Sequence, residues 1–104
     1  MLSKNVTGCV NSRRSSTEII AEILRIAKSG ARKTRIVYGA NINFRLLNEY
    51  LKRLERAGLI IEETGKTTII KTTEKGIEYL RQYESLEGFL RDIIGGESNI
   101  LPHP

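Results

Sequence analysis

The sequence contains no tryptophan, one cysteine and one histidine. A single thiol, Cys9, rules out any disulfide within the chain, and its polar N-terminal setting suggests no role for it. His103 has no second ligand nearby, so no zinc-type spacing exists and no metal or cofactor is expected. Aromatic residues are few, four Tyr and two Phe. That supplies no stacking platform of the kind single-stranded RNA binders use. No apolar run approaches the roughly 18 residues of a membrane span, and the N-terminus lacks the apolar core of a signal peptide. The expectation is a cytoplasmic protein with no membrane contact.

What is present suits one small domain. A chain of 104 residues buries a modest core and has little room for a deep catalytic cleft. Hydrophobic residues at 39% and charged residues at 28% match an ordinary folded protein. The charge is uneven. Residues 1–71 hold 14 Lys and Arg against 6 Asp and Glu, whereas residues 72–104 hold 3 against 6. A basic body with an acidic end points to a polyanion as partner of the body.

Periodicity divides the chain further. Residues 1–14 show no apolar period and carry Lys4, Arg13 and Arg14, which reads as a flexible basic arm. Ser15-Ser16-Thr17-Glu18 is a capping-box pattern. Ile19, Ile20, Ile23, Leu24 and Ala27 follow at helical spacing, predicting a first helix to about Ser29 with Gly30 as its C-cap. Residues 32–39 form a short helix with Ile36 and Val37 inward, and Gly39-Ala40-Asn41 is a turn. Asn43 caps a third helix, in which Leu47, Tyr50, Leu51 and Leu54 share a face and which Ala57-Gly58 closes.

The period then changes. Leu59 to Thr64 and Thr67 to Thr72 are rich in Ile and Thr, and with Gly65-Lys66 between them they predict a hairpin. Thr73 caps a last helix, from about Glu74 to Ile94, and Gly95-Gly96 stops it. Residues 95–104, ending in Pro102-His103-Pro104, read as a frayed tail.

The fold class is mainly α with a small β-hairpin. Three helices with a tight turn before the third, followed at once by a hairpin, are a winged helix-turn-helix over residues 15–72. Tyr50-Leu51-Lys52-Arg53-Leu54-Glu55-Arg56-Ala57-Gly58-Leu59-Ile60 resembles the end of a recognition helix leading into the wing of many winged-helix regulators. Thr73-Glu74-Lys75-Gly76 resembles the exit from that wing. Lys33-Thr34-Arg35-Ile36-Val37-Tyr38-Gly39-Ala40-Asn41 resembles the second helix and turn of the small archaeal winged-helix proteins of about ten kilodaltons. The resemblance spans roughly residues 16–85. It implies a chromatin-associated DNA-binding protein or a transcriptional regulator, dimeric through a C-terminal helix that pairs as an antiparallel coiled coil.

The residues support that expectation on their own chemistry. A recognition helix enters the major groove with an apolar inner face and a polar outer one. Asn43, Arg45, Asn48, Glu49, Lys52 and Arg53 lie outside the apolar stripe. Arg45 suits guanine, Asn48 adenine and Glu49 cytosine, while Lys52 and Arg53 suit phosphate. Arg32, Lys33 and Arg35 stand at the start of the second helix, where free amides attract phosphate. Lys66 occupies the wing tip beside the acidic Glu62 and Glu63.

In residues 73–94, Tyr79, Tyr83, Leu86, Leu90 and Ile93 form a heptad seam for a second copy of the chain. Ile77 and Leu80 face elsewhere, back onto the domain. The expected partners are double-stranded DNA and a second copy of the chain.

Three apparent catalytic features dissolve on inspection. Gly65-Lys66-Thr67 resembles the end of a phosphate-binding loop, but Ile60 stands where the pattern needs Gly, and the tripeptide lies in a hairpin. Glu62 and Glu63 are adjacent, so a strand points them to opposite faces. His103 is alone. No enzyme is expected. The alternatives are an architectural chromatin protein of loose sequence preference and a winged helix that binds protein instead of DNA.

Overall fold

The computed structural model describes residues 14–95. Within them the elements run α1 (Ser16–Ile26), α2 (Lys33–Ala40), α3 (Phe44–Arg56), β1 (Ile60–Thr64), β2 (Thr68–Thr72) and α4 (Glu74–Leu90), with a π-helical turn over Arg91–Gly95. The expectations for residues 1–13 and 96–104 lie outside the described residues.

Each helix begins where local chemistry favours it. Ser15 accepts from the Glu18 amide at 3.2 Å, and the Glu18 carboxylate accepts in turn from the Ser15 amide at 3.0 Å, completing the capping box. The Asn43 side-chain oxygen accepts from the Leu46 amide at 2.7 Å, and Thr73 Oγ1 accepts from the Gly76 amide at 3.1 Å. α2 begins with Arg32 as N-cap and no side-chain cap. Asn41, at φ 57°, ends it in the left-handed region that Asn tolerates well.

The first helix is shorter than the pattern predicts. It ends at Ile26, with Ala27 as its cap, and Gly30, at φ +98°, lies beyond a turn. The reason is tertiary. Ala31 pairs with Ile70 in an isolated antiparallel bridge, its amide donating to the Ile70 carbonyl at 2.9 Å and the Ile70 amide returning a bond at 2.8 Å. Reaching β2 requires the chain to leave the helix early, and a left-handed residue at the bend favours glycine.

β1 and β2 pair antiparallel from Ile60↔Thr72 to Thr64↔Thr68. The turn therefore holds Gly65, Lys66 and Thr67, one residue more than the expected Gly65-Lys66. Arg14, read as part of a flexible arm, is instead held: its guanidinium donates to the Ala40 carbonyl, where a cation complements the C-terminal end of α2.

The core gathers Ile19, Ile23, Leu24, Ile36, Leu47, Leu51, Leu54, Ile60, Ile70 and Leu80 from all four helices and both strands. Thr72, the one buried polar residue among those described, donates to the Leu24 carbonyl at 2.7 Å, which removes the cost of burying a free hydroxyl. Tyr50 reaches from α3 to Ser16 at 3.2 Å. At the junction of α3, wing and α4, Thr73 donates to the Gly58 carbonyl at 2.6 Å and Lys75 to the Ala57 carbonyl at 2.8 Å. These bonds fix where α3 stops relative to the hairpin.

Gly76 sits in that junction with no room for a side chain. A Cβ there would lie inside the contact shell of the Leu59 carbonyl oxygen and 2.5 Å from Thr72 Cγ2. Gly76→Ala is expected to destabilise the fold by about 1–3 kcal/mol through overpacking. In urea this appears as a lower midpoint at an unchanged slope. An unchanged midpoint would mean that α4 shifts freely, against the packing described.

Candidate nucleic-acid interface

α3 presents two opposite faces. Leu47, Tyr50, Leu51 and Leu54 are buried. Arg45, Asn48, Glu49, Lys52, Arg53 and Arg56 are exposed. Arg45, Glu49, Lys52 and Arg56 follow one another at steps of four, three and four residues, so they form one column along the outer face. Arg56 was not among the residues expected from the sequence. Its position about three turns beyond Arg45 was the available signal, since that spacing returns to the same face.

The first turn of α3 is polar and open. Asn43, Arg45, Leu46 and Glu49 line a shallow recess there. Asn43 is exposed, but its side-chain oxygen is occupied as the helix cap, which leaves its amide NH2 for an outside partner. Phe44 is the first residue of the helix and remains 46% exposed. Tyr38 on α2 is 81% exposed. Neither aromatic was singled out by the sequence reading, because a short apolar period carries no sign of which ring stays outside.

The other cations named from the sequence lie on α2 and on the wing. Arg32 and Arg35 are exposed and Lys33 is half-buried at the start of α2, whose first turn carries no acidic residue. Lys66 is exposed in the turn between the strands, and Glu62, Glu63 and Lys71 are exposed along the wing. The wing therefore carries as many carboxylates as cations. Among the described residues no group of His, Cys, Asp and Glu is arranged to hold a metal, and no helix is long and apolar enough to cross a membrane.

The heptad residues of α4 do not share one environment. Tyr79 and Tyr83 are half-buried against the core of their own domain and stack on each other, centroids 6.4 Å apart and planes 3° from parallel. Burial pushes both phenols above their ordinary pKa, and the Glu87 and Glu18 carboxylates push Tyr83 further the same way. Further along, Leu86 is 56% exposed, Leu90 47% and Ile93 62%, with Phe89 and Ile94 also exposed beside them. A groove between the start of α1 and α4 is lined by Thr17, Tyr83, Leu86 and Leu90. Leu80 is buried and Ile77 half-buried on the side facing the domain, as expected.

A helix-turn-helix braced by a hairpin, with the second of its two helices turned outward, is the winged helix-turn-helix arrangement. The chain belongs to the winged helix-turn-helix family, whose profile matches residues 13–90. It is 38% identical over 88 residues to an uncharacterised protein of Methanocaldococcus jannaschii, a match covering 83% of this chain and 88% of that relative. The crystal structure of Sso10a-2, a DNA-binding protein from Sulfolobus solfataricus, is similar at a TM-score of 0.75 and 27% identity, covering 86% of this chain and 95% of that one. The resemblance to small archaeal winged-helix proteins is borne out by these matches.

Proposed function

We propose that the chain binds double-stranded DNA with α3 in the major groove and the β1–β2 hairpin as wing, acting in the cytoplasm as a dimeric transcriptional regulator. The observation that carries the reading is the exposed polar column of Arg45, Glu49, Lys52 and Arg56 on a helix whose opposite face is wholly apolar. The similarity to a DNA-binding protein supports it. In this reading Arg45, Asn48 and Glu49 meet base edges, with the free amide of Asn43 beside them. Lys52, Arg53, Arg32, Lys33, Arg35 and Lys66 meet phosphate. The exposed Leu86, Leu90 and Ile93 meet a second copy, while Tyr79 and Tyr83 border that contact from within their own domain. The role is one of binding and not of catalysis.

Two substitutions test the division of labour. Arg45→Ala is expected to cost about 1–3 kcal/mol and to relax preference at one base step. Lys52→Ala is expected to weaken binding to all sequences alike. Binding to a selected site and to shuffled duplexes, measured side by side, separates the two effects. Equal, sequence-independent losses from both changes would move the protein to an architectural role with loose sequence preference.

A further inference from the structure

The end of α3 collects charge of one sign. Lys52, Arg53 and Arg56 are all exposed. Arg56 lies four residues beyond Lys52 and three beyond Arg53, spacings at which like charges repel along a helix. No carboxylate of the helix answers Arg56, since the positions three and four residues to either side hold Lys52, Arg53, Leu59 and Ile60. Among the described residues, none of the three cations takes part in an ion pair. Elsewhere the pattern is the opposite. Arg25 pairs with Glu22 and Glu84 at 3.3 Å, Arg81 with Glu78 at 2.8 Å and Arg91 with Glu87 at 3.9 Å. Helix capping does not account for the trio either. The carbonyls of Arg53, Leu54, Glu55 and Ala57 already accept from the amides of Ala57, Leu59 and Gly58 and from Lys75 Nζ.

An anion supplied from outside relieves that repulsion, and the span of the helix says which one. Arg56 stands eleven residues beyond Arg45, about 16 Å along the axis. The major groove is only about 12 Å wide. In the docking proposed for α3, the N-terminal residues meet base edges. The last turn then lies past those edges, over the phosphates that wall the groove. We infer that Arg56, with Lys52 and Arg53 beside it, grips backbone phosphate at the edge of the major groove. Such a contact fixes the helix in the groove and carries no base preference. The inference rests on the DNA-binding reading of α3 and goes beyond it by giving the far end of the helix its own ligand.

The test measures affinity against salt for a selected site and for a shuffled duplex. Arg56→Ala is expected to weaken binding to both duplexes alike and to make the log–log slope shallower by about 0.9 for each protomer bound. Arg56→Lys, which keeps the charge, is expected to retain the slope. Arg81→Ala removes one charge from α4, away from α3, and is expected to leave the slope as it is. Circular dichroism establishes that each variant keeps its helices, and Arg56→Gln, which retains most of the stem, serves in place of Arg56→Ala if that change loosens the fold. An unchanged slope on loss of the Arg56 charge would overturn the inference and leave DNA binding standing. An equal flattening by Arg81→Ala would overturn it as well, since net charge and not a contact would be the cause. A loss confined to the selected site would overturn it in favour of base reading by Arg56. Failure of the unmodified chain to bind either duplex at low salt would instead overturn the DNA-binding reading on which it rests.

Discussion

The affinity of the chain for duplex DNA is expected to fall about a thousandfold or more between 50 and 200 mM salt. The argument is one of counting phosphates. Each protomer offers Arg32, Lys33 and Arg35 at the start of α2, Lys52 and Arg53 along α3, and Lys66 on the wing. Three or four of these engaged per protomer give about 6–8 phosphate contacts per dimer, and each released counterion adds about −0.9 to the log–log slope, for a total near −5 to −7. The wing adds little to this, because Glu62 and Glu63 flank its cations and repel the same phosphates. A titration of affinity against salt by fluorescence anisotropy measures the slope directly. A slope near zero would remove the phosphate contacts from the proposal, and with them the reason for the basic body.

The double change Leu86→Glu with Leu90→Glu is expected to yield a folded monomer that binds DNA at least about a hundredfold more weakly than the unmodified chain. Both leucines are about half exposed on the distal part of α4, and Ile93, in the π-helical turn beyond it, is exposed as well. Exposed apolar side chains on consecutive turns gain from burial against a second copy, and truncating one in such a seam costs about 2–5 kcal/mol. Carboxylates at two of these positions face their own kind across the seam and disfavour pairing. The helix itself should persist, because Leu80 is buried in the domain core and the Thr73 cap and Lys75 bond hold its start. Loss of the second DNA-binding head then removes the gain from binding two sites at once. Sedimentation of the unmodified chain is the prior test. A monomer at tens of micromolar would sink the dimer, leaving the distal apolar residues without the proposed role.

The comparison of pattern with structure separates by range. Ser15, Asn43 and Thr73 were legible as caps because a cap is made by groups within three residues of one another. The buried face of α3 was legible because helical geometry alone brings Leu47, Tyr50, Leu51 and Leu54 together. The hairpin followed from two β-prone runs around a glycine-containing turn. The charge asymmetry needed only composition, whereas the outer face of α3 depended on the same local periodicity, and Arg56 could have been added by extending it one turn.

Contacts between distant segments decided the rest. α1 stops at Ile26 because Ala31 must reach Ile70, a partner 39 residues away that no local period reveals. Arg14 is held by the Ala40 carbonyl, 26 residues distant. The seam of α4 reads as one stripe in sequence, yet the structure divides it. Tyr79 and Tyr83 lie beside the core of their own domain, whereas Leu86, Leu90 and Ile93 run past its edge into solvent. Phe44 and Tyr38 are exposed for the same reason: whether an apolar residue is covered depends on what packs over it. The kinds of element, their order and the polar face of α3 were legible because they arise from spacing along one chain. Where α1 ends, which part of α4 is left uncovered and which ring stays in water at the start of α3 came only with packing, because each depends on contacts between distant segments.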